Sequence, residues 1–90
     1  MSDEYVAFAP VYARGERLVV CHDPMSTELR EKIEAVLTFY GVPFCEDESG
    51  ALLISTWLAN DLDTMWNYTT KAIDPEWLAT HRPEDAPGRR

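Results

Sequence analysis

Basic residues, cysteines, glycines and long apolar runs are all scarce in this chain of 90 residues. Eight lysines and arginines stand against sixteen aspartates and glutamates, which gives a formal charge of −8. The last eleven residues hold three bases and two acids, so residues 1–79 alone carry −9. A negative surface repels nucleic-acid phosphates and anionic lipid headgroups. We therefore expect neither nucleic acid nor membrane as a partner, but a basic protein; the competing interpretation of the charge is solubility alone.

The two cysteines, Cys21 and Cys45, are too few for a disulfide framework, and we interpret them as reduced. Cys21 and His22 would point to opposite faces of a strand, and no cysteine or histidine spacing typical of a zinc site occurs. Three acids follow Cys45 and disfavour its thiolate, which a nucleophile requires. We therefore expect no metal and no catalytic residue at these positions.

The four glycines form no cluster that would hold a phosphate, so no nucleotide cofactor is expected. Carboxylates are plentiful, but nothing indicates two environments that would separate their pKa values for acid and base catalysis. No apolar run is long enough to cross a bilayer, and the chain starts with acids where a secretory signal carries bases. These absences predict a cytoplasmic protein that is not an enzyme.

The hydrophobic share of 46% and ten aromatic residues supply the material for one core. We predict a single α+β domain over residues 1–79 and a flexible tail over residues 80–90, which is rich in proline near its end.

Two β-hairpins are predicted from runs of β-branched, aromatic and apolar residues. The first pairs residues 5–12 with residues 18–21 around a turn at residues 14–16, and Pro10 makes its first strand an edge strand or places a bulge there. The second pairs residues 42–45 with residues 51–54 around the turn at residues 46–50. Three consecutive acids, Glu46, Asp47 and Glu48, stand at the tip of this second turn.

Two amphipathic helices are predicted from apolar residues at helical spacing. The first carries Leu29, Ile33, Val36, Leu37 and Tyr40, with possible caps at residues 23–27 and a stop at Gly41. The second runs from Thr56 to about Ile73, with a cap near residues 60–63 and with Leu58, Leu62, Met65 and Trp66 toward the core. Asp74 and Pro75 end it and begin one further turn.

The predicted order is therefore ββαββα, a two-layer sandwich with two helices on one face of a mainly antiparallel four-stranded sheet. A ferredoxin-like arrangement is the alternative if residues 5–13 do not pair as described.

A stripe of Trp57, Asp61, Thr64 and Tyr68 is expected beside the core stripe of the second helix. Exposed Trp and Tyr are typical anchors of protein interfaces, although the same residues also widen a small core. With the acidic tip, this stripe gives the predicted partner-binding residues, which are Glu46, Asp47, Glu48, Trp57, Asp61 and Tyr68.

The function predicted from these features is that of an inhibitor or immunity-type protein that masks a basic protein partner. The alternative is a regulatory module that holds a small ligand in a groove near Tyr12, Tyr40 and Trp66. Homodimerisation through an open sheet edge at residues 5–12 is compatible with either.

Overall fold

The computed structural model describes residues 4–82, which form five short strands and four helices. The strands are β1 (Tyr5–Ala7), β2 (Val11–Arg14), β3 (Arg17–Val20), β4 (Cys45–Glu46) and β5 (Leu52–Ser55). The helices are α1 (Thr27–Tyr40), α2 (Thr56–Ala59), α3 (Leu62–Ala72) and α4 (Pro75–Thr80). The α+β class and the antiparallel pairing are confirmed.

The predicted single four-stranded sheet is wrong, because the strands form one sheet in the order β1-β5-β4 and a separate β2-β3 pair. The first apolar run divides around Pro10, which has no N–H to donate to a strand ladder. Before Pro10, Phe8 donates its N–H to the carbonyl of Leu52 in β5 at 2.8 Å. At Pro10 itself, the carbonyl accepts from the N–H of Cys21, which follows β3, also at 2.8 Å. One run thus supplies an edge strand to each sheet.

The hairpin of β2 and β3 forms at the predicted turn. Arg14 pairs with Arg17 across two turn residues, and Gly15 adopts a φ of 66°. A positive φ at the first turn position alone is the type II′ geometry, which glycine adopts without steric cost and which matches the twist of the strands.

Helix α1 begins and ends where the sequence indicates. The Ser26 hydroxyl accepts a hydrogen bond from the N–H of Leu29 at 3.1 Å, and Gly41 closes the helix in the left-handed region at a φ of 71°. Ile33, Val36 and Leu37 are buried on its inner face, as the apolar stripe predicts.

The second hairpin forms with a shifted and shorter first strand, since β4 contains only Cys45 and Glu46. Val42 cannot join it, because its N–H donates to the carbonyl of Leu37 and completes the end of α1. Pro43 then offers no donor.

The second predicted helix is divided into α2 and α3, because Asp61 begins a new helix within the segment, whereas α4 is the further turn predicted from Asp74 and Pro75. Asp61 caps α3 by accepting from the N–H of Thr64 at 3.2 Å. Asp74 caps α4 by accepting from Glu76 and Trp77, with Pro75 in the first turn as predicted. The tail prediction beyond residue 82 lies outside the described residues.

One core holds these elements together. Its buried apolar residues come from both sheets and from three helices, and they are Phe8, Val11, Ile33, Val36, Leu37, Leu52, Ile54, Leu58, Met65 and Ala72. Within residues 4–82, no helix has the length and apolar character that crossing a bilayer requires.

Candidate functional site

Helices α2 and α3 expose four large apolar side chains. The exposed fraction is 71% for Trp57, 51% for Ile73, 40% for Leu62 and 38% for Trp66. We call these four residues the α2–α3 surface. Trp57 is the most exposed large apolar residue among residues 4–82.

The exposed large apolar residues of α3 and its C-cap form a narrow stripe. At about 100° per residue, Leu62, Trp66 and Ile73 fall within about 40° of one another around the helix axis. Met65, Thr69 and Ala72 occupy the adjoining arc and are buried. The stripe therefore borders the core without entering it. Thr69, at the edge of the buried arc nearest the stripe, accepts a hydrogen bond from Val11, so β2 begins beside this surface.

Two exposed acids border the α2–α3 surface. Asp63 is exposed in the first turn of α3, on the side of the stripe away from the core. Glu4 is exposed beside the start of α2, where its carbonyl accepts from the N–H and the hydroxyl of Thr56 at 2.9 and 3.0 Å. Neither acid forms an ion pair within residues 4–82. They give the rim of this apolar surface a negative charge.

Asp61, a predicted binding residue, is committed to the helix end. Its two carboxylate oxygens accept from the N–H and from the hydroxyl of Thr64, at 3.2 and 2.9 Å. Its position around α3 places it on the side of Tyr68, with the buried arc between it and the stripe.

Tyr68 lies in an aromatic cluster that packs α4 against α1 and α3. Its ring stacks on Tyr40 at 5.6 Å between centroids, and Tyr40 stacks in turn on Trp77 at 6.0 Å. Trp77 stacks on His81 at 4.4 Å. Burial raises the pKa of Tyr68, and the charges of Tyr40 and Asp61 raise it further. This geometry gives Tyr68 a packing role.

The acidic tip lies at the opposite end of β5 from Trp57. Glu46 pairs with Leu52 at the start of β5, whereas Trp57 follows Ser55 at its end. Asp47 organises the turn, since its carboxylate accepts from the N–H and hydroxyl of Ser49 and from the N–H of Ala51. These hydrogen bonds lower the pKa of Asp47.

Glu46 belongs to a charged cluster between β4 and α1. Arg30 Nε lies 3.8 Å from a carboxylate oxygen of Glu34 and 3.8 Å from one of Glu46. Arg30 also donates from a terminal nitrogen to the carbonyl of Gly50. The pKa of Glu34 is raised to about 7, first by burial and then by hydrogen bonding to and repulsion from the neighbouring Glu46 carboxyl, against the opposing effect of Arg30. Sequence alone did not indicate this cluster.

A cleft of about 450 Å³ opens next to this cluster, where the loop between β3 and α1 faces the start of β5. Its polar wall includes Cys21, His22, Asp23 and Arg30, and its apolar wall includes Phe8 and Met25. The groove predicted for a small ligand, near Tyr12, Tyr40 and Trp66, is not where this cleft lies.

The predicted binding residues thus occupy three places: the tip, the aromatic cluster and the α2–α3 surface. Of the six, only Trp57 belongs to that surface. Leu62, Trp66 and Ile73 were missed, because the apolar spacing was read as one helix from Thr56 with Leu62 and Trp66 in the core. The signal was the cap predicted near residues 60–63, which begins a separate helix instead of lying within a continuous one.

Among residues 4–82, no group of three or more histidines, cysteines or acids is placed to hold a metal ion. No protein family model matches the chain, and neither a curated protein nor a solved structure is significantly similar to it.

Proposed function

We propose that this chain is a binding protein that takes up a basic, amphipathic segment of another protein on its α2–α3 surface. The observation that carries the proposal is the 71% exposure of Trp57 next to further exposed apolar residues. An inhibitor or immunity-type protein that masks a basic partner has this character. Catalysis has no part in the proposal.

Burial of the exposed side chains would supply the binding energy. Removing a large apolar side chain from water stabilises a complex by about 1.5–3 kcal/mol. Tryptophan is enriched among the residues that dominate interface energetics, and this surface carries two, Trp57 and Trp66. The apolar surface therefore supports tight contact with an apolar face of the partner.

The acids would favour a partner that carries positive charge. Asp63 and Glu4 flank the apolar residues, and neither forms an ion pair within residues 4–82. Lysine or arginine side chains at the rim of a docked segment would meet them and would approach faster because of the net charge of −8. An acidic segment of the same apolar content would be repelled.

A designed peptide tests the proposal directly. The probe is an amphipathic helix of about 18 residues with leucines on one face and lysines on the other. Two of the three tryptophans lie on the proposed surface, so docking is expected to shift the tryptophan emission to shorter wavelength. Titration at rising salt should weaken the binding, since exposed charges are screened.

Two controls make the test specific. A peptide with every lysine changed to glutamate should not bind, and Trp57→Ala should weaken binding of the basic peptide by about tenfold or more. Tyr40→Leu changes an exposed large side chain at the end of α1, away from this surface, and should leave the affinity unchanged. Equal affinity for the basic and acidic peptides, or no effect of Trp57→Ala, would contradict the proposal.

A small-ligand module is the second candidate, and the cleft beside Arg30 is the observation that favours it. Its volume of about 450 Å³ is within the range of small-molecule sites, and Asp23 and Arg30 offer charges of both signs beside an apolar wall. A thermal-shift screen of metabolites on the wild type and on Arg30→Met tests this candidate. A compound that stabilises the wild type but not the variant would support it, and a featureless screen would count against it.

A further inference from the structure

The outer face of the β2–β3 hairpin carries an unusual arrangement for so acidic a chain. Arg14 and Arg17 are directly opposite each other in the register, next to the turn, and both are exposed. Tyr12 and Val19 form the cross-strand pair two positions further along, with exposed fractions of 37% and 41%. Because side chains alternate along a strand, all four share one face. We call these four residues the arginine face.

The two arginines have no counter-ion within the described chain. Neither Arg14 nor Arg17 forms an ion pair with an acid of residues 4–82, and this includes Glu16 in the turn between them. Like charges directly opposite on neighbouring strands destabilise a hairpin. Their repulsion is thus not offset by an acid of residues 4–82.

The arginine face is complementary in charge and in apolar character to the α2–α3 surface. It combines an aromatic and an aliphatic side chain with two positive charges, and the surface combines four apolar side chains with Glu4 and Asp63. We propose that the arginine face of one copy docks on the α2–α3 surface of a second copy. This inference rests on the proposed function, because it names the chain itself as one basic, amphipathic occupant of that surface.

The fold allows the contact to be reciprocal. Val11, at the base of β2, donates its N–H to Thr69, which borders the exposed stripe of α3. The hairpin therefore begins next to the exposed stripe, and in a two-fold dimer each copy would offer its arginine face while accepting the other's. Such a dimer would cover the α2–α3 surface and compete with a foreign partner.

Charge exchange tests the inference. Sedimentation velocity of the full chain from micromolar to millimolar concentration should show dimers. Reversal of the arginine face, Arg14→Glu with Arg17→Glu, should weaken dimerisation by about tenfold or more, as should reversal of the rim, Glu4→Arg with Asp63→Arg. A mixture of the two double variants should restore dimers. At one contact the reversed arginine face then meets the reversed rim, and at the other contact the native charges meet.

The matched control changes the same charge elsewhere. Lys32→Glu with Lys71→Glu alters the net charge as the arginine reversal does, on helices α1 and α3, and should leave dimerisation within about threefold of the wild type. A wild type that stays monomeric throughout, or dimers that survive the arginine reversal, would overturn the inference. Titration of the lysine peptide into the same samples distinguishes the proposed function from the inferred dimer. If the peptide binds a wild type that stays monomeric, the dimer is overturned and the proposed function is retained.

Discussion

Val11 donates its backbone N–H to the Thr69 hydroxyl at 3.2 Å, across 58 positions of the sequence, in a part of the core that water does not reach. The same hydroxyl donates to the carbonyl of Met65 at 2.8 Å. One side chain thus joins α3 to β2 inside the core. Leu62 and Trp66 lie outside the arc of α3 that this contact helps to bury.

Thr69→Val should destabilise the fold without changing its shape. Valine matches threonine in size but offers no acceptor, so the buried N–H of Val11 would lose its partner at a cost of about 1–3 kcal/mol. Urea unfolding measures the difference. Thr70→Val is the matched control, because the Thr70 hydroxyl contacts only the carbonyl of Asn67 in its own helix, and its effect should stay within about 0.5 kcal/mol. Equal losses in the two variants would contradict the assigned role.

The raised pKa of Glu34 predicts a fall in stability as pH rises toward neutral. The folded state holds a proton up to about pH 7, whereas an unfolded glutamate releases it near its ordinary value of 4.5. The folded state therefore binds more protons between these two values, and the free energy of unfolding should fall on the order of 2 kcal/mol across this window and then level off. Urea unfolding at a series of pH values measures it.

Glu34→Gln should remove that fall, because glutamine resembles the protonated carboxyl and does not titrate. Glu46→Gln should reduce it, since burial of Glu34 remains but the neighbouring carboxylate is gone. If the curves of wild type and Glu34→Gln run parallel between pH 4.5 and 7, the protonated Glu34 does not exist in the folded state.

Asp47 and Glu48 should behave differently although they are adjacent acids. Asp47→Ala removes three hydrogen bonds from the turn and should lower stability at neutral pH. Because the pKa of Asp47 lies below its ordinary 3.8 in the folded state, this difference should disappear as the pH falls through that lowered value. Glu48→Ala is the control, since its exposed side chain makes no hydrogen bond or ion pair within residues 4–82. A pH-independent deficit in Asp47→Ala would rule out the ionised carboxylate as its cause.

Asp61 and Asp63 should separate stability from partner binding. Asp61→Ala removes the cap of α3 and should cost about 1 kcal/mol in urea unfolding. Asp63→Asn loses a favourable interaction with the helix dipole and should lower the free energy of unfolding by about 0.5 kcal/mol or less. It also removes a charge from the rim of the α2–α3 surface. Its affinity for the lysine peptide should fall while its fold is retained. Unchanged affinity in Asp63→Asn would remove this carboxylate from the binding surface.

Elements that depend on neighbouring residues could be predicted from the sequence. Helix α1 has its cap, its apolar stripe and its stop within residues 26–41, and the β2–β3 turn needs only a glycine between two β-prone runs. Asp74 and Pro75 likewise signalled the start of α4. Each of these features is read within a few positions of where it acts, so no knowledge of the tertiary contacts was required.

The errors concern relations between distant residues. Nothing near residues 5–7 indicates that they pair with β5 instead of continuing into β2, because the partner lies far along the chain. Trp66 was assigned to the core because a single helical phase was extended through the Asp61 cap. The Glu34 and Glu46 contact joins α1 to β4, and the raised pKa of Glu34 depends on burial that no local pattern reports.

The pairing of Tyr5 with Ser55 also has a consequence for biosynthesis. On the ribosome, the first strand is made long before β5 exists, so its exposed aromatic and β-branched residues have no partner during that interval. Closing a contact of such sequence separation is slow compared with forming a helix or a hairpin. We expect α1 and the β2–β3 hairpin to form first, and the N-terminal strand to be added only after the chain has been synthesised through residue 55.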